Sequence, residues 1–542
     1  ILMINSISFK NYKAFSAGKL ELKPITILLG SNSSGKSSLL QLFLLLEQTI
    51  NNPEPYESAL KLNGRFINLG EDENLIKDKD LTKILNIEFS FNASPYIQKL
   101  QLLLKSIDHQ LIQIGKMIER IKNKENDQLD ILNYTLWDKR YESLFKEFQT
   151  IEYSHQPLEL NKLKDTSVLV DYIITQRNFL FEEFPNEEIS MNKRLEIYKD
   201  IFAFLEPLKN LYAVSGILGY NLKYNPQTKK IEVEEQYVNI NKKNLIRLTS
   251  NNVTSDILNS ELLKKYSEIL LGCIKYDALK LEENSKNSIS KHITFFFNEA
   301  YNIVADTFDS KNVNYVSPLR AHPQRYYLLD EANINTSLNT QSGTSLAEIL
   351  KKNAQLNSRV NAWLKKFGLK VTVKEFKDII HNIKIHQNDL DLDITDVGFG
   401  ISQVLPILVQ GFLSNNKSLT LIEQPEIHLH PKMQADLADL FIEIIKLATD
   451  KKGKTRKSLL IETHSEYLLK RLRRRISEGK LSSKDIAIYF IEPRDKDNKD
   501  SAVIKNVEIS KDGSFDWPKD FYMTEFEDDM AYYKNLAKKA KK

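Results

Sequence analysis

Near the start of the chain, Gly30-Ser31-Asn32-Ser33-Ser34-Gly35-Lys36-Ser37 fits G-x-x-x-x-G-K-[ST] without departure. The residue types have a physical reason. Glycines let successive backbone N–H groups turn inward and form a concave cradle for anions. A helix beginning near Lys36 aims the positive end of its dipole into the same space. Lys36 is long enough to reach β- and γ-phosphates, and the Ser37 hydroxyl is placed to ligate Mg²⁺. With Ser38 as the next residue of the set, this stretch is expected to hold ATP together with magnesium.

Far downstream, the apolar strand Leu419-Thr420-Leu421-Ile422 ends in Glu423-Gln424-Pro425-Glu426. A carboxylate at the tip of a buried strand beside such a loop holds Mg²⁺ through its water shell, so Ser37 and Glu423 form the expected metal pair. Leu459–Ile461 then leads into Glu462-Thr463-His464-Ser465, where His464 can hydrogen-bond a γ-phosphate. Between the two halves lies Asp396-Val397-Gly398-Phe399-Gly400-Ile401-Ser402-Gln403. It sets small residues and a serine ahead of an apolar helix (Val404, Leu405, Ile407, Leu408), and an ordinary glycine-rich turn has the same spelling.

These groups need a scaffold. Ile4–Phe9 and Leu20–Leu22 alternate apolar with polar, and Ile25–Leu29 is a continuous apolar run, as in a buried strand. Leu39, Leu40, Phe43, Leu44 and Leu46 form the apolar side of a helix. Ile87–Phe91 is a further strand. Ile97, Leu100, Leu104, Ile107, Leu111, Ile114, Ile118 and Ile121 then recur at alternating steps of three and four, the period of a coiled-coil seam. The polar run Asn123–Asp130 interrupts it before a second helical stretch. The seam is satisfied within an internal hairpin, or it serves as an arm that dimerises or docks a partner.

Residues 150–310 read as mostly helical, with strand-like interruptions near Gly219–Val238. Strands return at Val313–Val316, Leu390–Ile394, Leu419–Ile422, Leu459–Ile461, Ile486–Ile491 and Val503–Ile509, alternating with helices as in a largely parallel sheet. The expected fold is an α/β head assembled from residues 3–93 and 311–495. A helical insertion occupies 94–310, and a strand segment with a frayed lysine-rich tail occupies 496–542.

Composition excludes several classes. A chain of 542 residues exceeds the size of one core, so at least two structural units are expected. The balance of 76 basic against 72 acidic residues is nearly even and does not by itself imply a nucleic-acid partner. A single cysteine, Cys273, rules out an intramolecular disulfide and any multi-thiolate zinc site, and reads as a buried inert thiol. No apolar run approaches the ~18 residues of a membrane span; the longest, Leu39–Leu46, contains Gln41. With Met3 read as the natural start and no signal peptide, a cytoplasmic protein is expected.

In motif order the chain resembles ABC-type ATPases of the RecF, SMC and OLD-like branch, over roughly residues 3–93 and 311–522. The resemblance implies a dimer that closes on ATP. Gly400, Ser402 and Gln403 of one copy would meet the γ-phosphate held by the other, although the spelling differs from the usual L-S-G-G-Q. Ile422-Glu423-Gln424-Pro425-Glu426-Ile427-His428-Leu429-His430-Pro431 is similar to a block found in bacterial antiphage defence ATPases. Tyr315-Val316-Ser317-Pro318-Leu319-Arg320 and Gly513–Phe521, with Trp517-Pro518, resemble their other landmarks. Within that group the chain is most similar to the Septu-type PtuA group, including the form that accompanies retrons. This implies a homodimer or higher even oligomer acting with a separate HNH endonuclease, and in retrons with a reverse transcriptase and its RNA–DNA product.

If Glu423 takes the magnesium position, Gln424 stands where the resemblance puts a catalytic glutamate. An amide orients water but does not take its proton, so slow hydrolysis is expected unless Glu426 or His430 substitutes as base. His428 and His430 lack a nearby third ligand and read as loop packing. Lys470, Arg471, Arg473, Arg474 and Arg475, with the loop Lys451–Lys457, form either a solvated face or a contact for nucleic acid or an acidic partner. Asp389, Asp391 and Asp393 share one strand face. They suit a two-metal nuclease or, more simply, a solvated face. The alternative to a defence subunit is a repair or chromosome-maintenance ATPase that clamps DNA directly. A scaffold keeping ATP as a structural ligand is the third possibility.

Overall fold

The computed structural model describes residues 4–52, 58–122, 199–272, 278–281, 288–320, 322–328, 345–376, 380–447, 457–494, 500–517 and 523–540. Cys273, the polar run Asn123–Asp130, the helical stretch after it, Lys451–Arg456 and Pro518–Phe521 lie outside them.

One six-stranded sheet carries the site. Its strands are β3 (Ile25–Gly30), β9 (Val313–Val316), β14 (Leu419–Glu423), β15 (Ser458–Glu462), β16 (Ile486–Glu492) and β17 (Val503–Val507). The order is β17-β16-β3-β15-β14-β9, parallel throughout except for β17. Strands from both ends of the chain thus interleave. The pleat divides their side chains between two cores. Leu28, Leu421, Leu460 and Tyr489 face one core, while Ile27, Ile422, Ile461 and Ile488 face the other. Burial on both faces explains why these strands read as unbroken apolar runs.

The first core is closed by a seven-stranded antiparallel sheet. It comprises β1 (Ile4–Tyr12), β2 (Phe15–Glu21), β4 (Leu85–Asn92), β5 (Ser215–Asn225), β6 (Lys230–Ile240), β7 (Lys243–Thr249) and β8 (Val253–Thr254), in the order β2-β1-β4-β5-β6-β7-β8. This corrects one expectation. The strand-like stretch near Gly219–Val238 does not interrupt a helical insertion. It extends the N-terminal sheet, with β5 pairing the whole of β4 through Ser215–Leu222. Into this core pack α1 (Lys36–Ile50), α2 (Ala93–Lys122) and α3 (Ser288–Phe308). The first four seam residues of α2, Ile97, Leu100, Leu104 and Ile107, are buried in this core. Gln101 donates to carbonyls of Leu208 and Leu211, and Lys99 pairs with Glu299 of α3. This half of the seam is satisfied within the chain.

The second core is closed by helices α4 (Leu346–Lys352), α5 (Ala354–Leu364), α6 (Phe399–Leu413), α7 (Pro431–Leu447) and α8 (Glu466–Ser477). A small antiparallel sheet joins them, built from β10 (Tyr327–Leu328), β11 (Leu369–Phe376), β12 (Ile380–Gln387) and β13 (Leu390–Asp393). Of the C-terminal stretch, Met523–Ala540 is a helix, α9, so much of the lysine-rich tail is helical and not frayed. Among the described residues, no helix is long and apolar enough to cross a membrane.

Candidate functional site

The loop joining β3 to α1 has the backbone its glycines allow. Gly30 has φ +150°, and a Cβ there would fall 2.5 Å from the Ile491 carbonyl oxygen. Gly35 has φ +105° as the residue preceding α1, with the Phe15 ring 2.8 Å from where its Cβ would be. The close approach of Ile491 and Phe15 leaves only glycine room at both positions. Ser33 adopts a left-handed conformation, φ 59°. Ser34 is buried, and its hydroxyl has no hydrogen-bond partner among the described residues. A buried hydroxyl inside a turn of N–H groups is a fitting partner for a phosphate oxygen.

Lys36 folds back over this loop. Its Nζ donates to the carbonyls of Gly30 (3.0 Å) and Ser31 (2.7 Å). Burial lowers its pKa, while Glu462 and Glu426 act to raise it. The Ser37 hydroxyl donates to both carboxylate oxygens of Glu462, at 3.0 and 3.3 Å. Ser37 therefore meets Glu462, not the Glu423 paired with it on sequence grounds. Ser31 and Asn32 lie on the exposed rim of the loop, and Ser38 is half-buried as the third residue of α1.

Glu423 and Glu462 end neighbouring parallel strands as register partners. Each lies two residues beyond a leucine of the first core, Leu421 or Leu460, so both carboxylates turn to the face covered by α1. Glu423 accepts from the Tyr315 hydroxyl at 3.0 Å. Burial, then repulsion from Glu462, pushes its pKa up to about 7, with the tyrosine acting against them. Burial likewise raises Glu462, opposed by Lys36 and Ser37. Sequence reasoning missed Glu462. The signal was present in the shared ending Leu-Ile-Glu at 421–423 and 460–462.

Glu426 is engaged elsewhere. Its two carboxylate oxygens accept separately from the Thr463 hydroxyl (2.8 Å) and the His464 amide (2.6 Å). It thereby ties the loop after β14 to the loop after β15. Gln424 stands between, left-handed at φ 42°, with its backbone N–H donating to the Glu462 carbonyl at 2.8 Å. The buried Arg320 donates to the carbonyls of Glu423 (3.1 Å) and Gln424 (3.2 Å) and clamps the same turn. Burial lowers its pKa to about 10, with Glu426 opposing. Burial and the nearby Lys36 lower His464, which keeps its imidazole neutral at neutral pH. His464 is thus electrostatically coupled to the phosphate lysine. His428 is exposed, and the exposed His430 accepts from the Lys432 amide at 3.3 Å just ahead of α7.

The segment Asp396–Gln403 departs from expectation. α6 begins at Phe399, so Ser402 and Gln403 lie inside the helix and are buried, at 4% and 5% exposure. Of this segment, Asp396 and Gly398 are exposed. Arg325 braces it by pairing with Asp396 at 2.7 Å. Gly400 stacks close to the loop after β14, its Cβ position 3.2 Å from the His428 carbonyl oxygen.

Two other sequence candidates resolve into ion pairs. Arg471 pairs with Asp436 (2.9 Å) and Asp439 (2.6 Å), Arg475 with Asp439 and Glu478, Arg474 with Glu478, and Lys470 with Glu466. Most of the basic run is neutralised by acids of α7 and α8 and by Glu478 just after α8. Asp391 is held by Lys374 and His386, and Asp393 by Lys384 and Asn382. Asp389 sits in the exposed turn ahead of them.

The family model described as AAA ATPase domain matches residues 3–469. Endonuclease GajA of Bacillus cereus (strain HuB5-5) is 23% identical over 480 residues, covering 86% of this chain and 56% of that protein. The chain therefore spans about half the length of this curated relative. Among solved structures, the SMC head bound to the C-winged helix domain of ScpA covers 93% of this chain and 98% of that chain, at 9% identity and a TM-score of 0.39. The SMC head domain from Thermotoga maritima covers 93% and 99%, at 9% identity and a TM-score of 0.34. Likenesses this distant carry no weight for the fold or the chemistry.

Proposed function

The chain belongs to the AAA ATPase domain family, and on that premise we propose that it is an ATP-responsive switch whose state is set more by binding than by turnover. The observation that carries this reading is the meeting of Lys36, Ser37 and two strand-tip carboxylates at one end of a parallel sheet. The residues fit Mg·ATP. The loop amides and Ser34 would take phosphate oxygens, Lys36 would leave its two carbonyls for the β- and γ-phosphates, and Ser37 with Glu423 would hold the cation. His464 would read the γ-phosphate.

Two copies would close with ATP between them, the segment around the exposed Asp396 and Gly398 of one facing the phosphates of the other. Hydrolysis would be slow for two reasons. Gln424 has no carboxylate to accept a proton, which removes general-base help of ~10²–10⁴-fold. Glu426, the nearest substitute, already uses both oxygens on Thr463 and His464.

As a biological role we propose the regulatory subunit of an antiphage defence complex of the Septu or retron type. It would hold or restrain a separate HNH endonuclease and, in retrons, act beside a reverse transcriptase and its RNA–DNA product. The motif block Ile422–Pro431 and the partial likeness to a protein named an endonuclease support this reading. The direct DNA clamp has less support, because the basic run on α8 is largely paired.

The test is twofold. Wild type is expected to dimerise on adding Mg·ATP in light scattering, and Lys36→Ala to lose both nucleotide binding and dimerisation. Unchanged nucleotide affinity in Lys36→Ala overturns the site. Co-purification from the native operon is expected to retain a nuclease. Its absence, with hydrolysis stimulated by DNA ends, favours the clamp.

A further inference from the structure

We propose that Glu462 is a working member of the divalent-cation seat, so that the ion is held by Ser37 between two strand-tip carboxylates and not by Glu423 alone. The inference rests on the nucleotide-binding reading above and deepens it at one residue.

Two acids face the same buried space. Glu423 is 8% exposed and Glu462 2%, and they are register partners on adjacent parallel strands, whose backbones run about 4.8 Å apart. Among the described residues, no ion pair within 4 Å reaches either. Lys36, the nearest cation by its electrostatic effect on Glu462, spends its amine on the carbonyls of Gly30 and Ser31. Buried like charges without a counter-ion are costly, and a fold keeps them where a cation supplies the balance.

Two independent observations point to that cation. Ser37, the hydroxyl of the phosphate loop placed to ligate magnesium, already donates to both oxygens of Glu462. In addition, a cavity of about 530 Å³ opens beside Glu423, lined by Gln41, Tyr315, Ser317 and Leu319 among others. It reaches Glu423 itself and Gln41, which lies one helical turn beyond Ser37 on α1. Mg²⁺ is bound octahedrally, keeps several of its waters, and takes one or two carboxylates with the substrate phosphates. Two carboxylates, one hydroxyl and adjoining room for water satisfy that demand.

The experiment titrates the full chain with a fluorescent ATP analogue in EDTA and in Mg²⁺, and reads bound Mn²⁺ by electron paramagnetic resonance. Glu462→Gln is expected to shrink the Mg²⁺-to-EDTA affinity ratio by on the order of tenfold to a hundredfold, the size seen for groups that hold or orient a metal ion. Ser37→Ala, which leaves β15 untouched, is expected to shrink it as well. Glu462→Asp, which keeps the charge, is expected to fall between wild type and Glu462→Gln. A ratio unchanged in Glu462→Gln overturns the proposal, and so does an equal loss of affinity with and without metal, which marks a structural role. If wild type itself binds no nucleotide, the underlying reading falls, an outcome distinct from either.

Discussion

Glu423 offers a quantitative test of a carboxylate held in an unfavourable place. Burial and the neighbouring Glu462 raise its pKa to about 7, against 4.5 for an ordinary glutamate, although Tyr315 donates to it. Such a group binds its proton more tightly in the folded chain than in the unfolded one. In cation-free protein its contribution to stability is fully present below about pH 4.5 and is lost as the pH rises through about 7. At about 1.4 kcal/mol per pH unit, the difference amounts to ~3 kcal/mol by pH 8. Glu423→Gln removes the charge and keeps an oxygen for the Tyr315 hydroxyl. Thermal melts in EDTA are expected to converge for the two proteins near pH 5. At pH 8 the variant is expected to melt several degrees higher. Mg·ATP is expected to reverse the order at pH 8, because only wild type keeps both carboxylate ligands for the cation. Equal midpoints at pH 8 without cation would refute a strained carboxylate at this position.

Three further substitutions probe neighbouring parts. Gly30→Ala pushes a methyl to within 2.5 Å of the Ile491 carbonyl and is expected to abolish nucleotide binding in calorimetry. Gln424→Glu restores a proton acceptor and is expected to raise steady-state phosphate release by ~10²–10⁴-fold; no rise would show that the carboxylate is not what turnover lacks. Glu426→Gln presents one acceptor oxygen to two donors, Thr463 and His464. It is expected to lower stability by about 2 kcal/mol in urea denaturation, whereas a fall in turnover with unchanged stability would identify Glu426 as the base after all.

The helical seam and the insertion show where local pattern stops being informative. The 3.5-residue period from Ile97 onward correctly marks a helix and its buried side, because helical periodicity is written into neighbouring residues. It does not say what that side packs against, and its first four residues pack onto the body of their own chain. Likewise, alternation near Gly219–Val238 marks strands but cannot name their partner. That partner is β4, more than a hundred residues upstream.

The phosphate loop, the apolar strands leading into Glu423 and His464, and the Gln424 that stands after Glu423 were determined by the sequence itself. Each depends on residues within a few positions of one another, where glycine conformation, helix start and strand burial are local matters. Tertiary structure alone decided that Ser37 meets Glu462, that Glu426 bridges two loops, that Ser402 and Gln403 are buried, and that Arg471 and Arg475 are neutralised by Asp439. Those facts follow from strand order and helix packing. Residues far apart in the chain become neighbours only when the sheet interleaves its two ends, and no short-range pattern records that order.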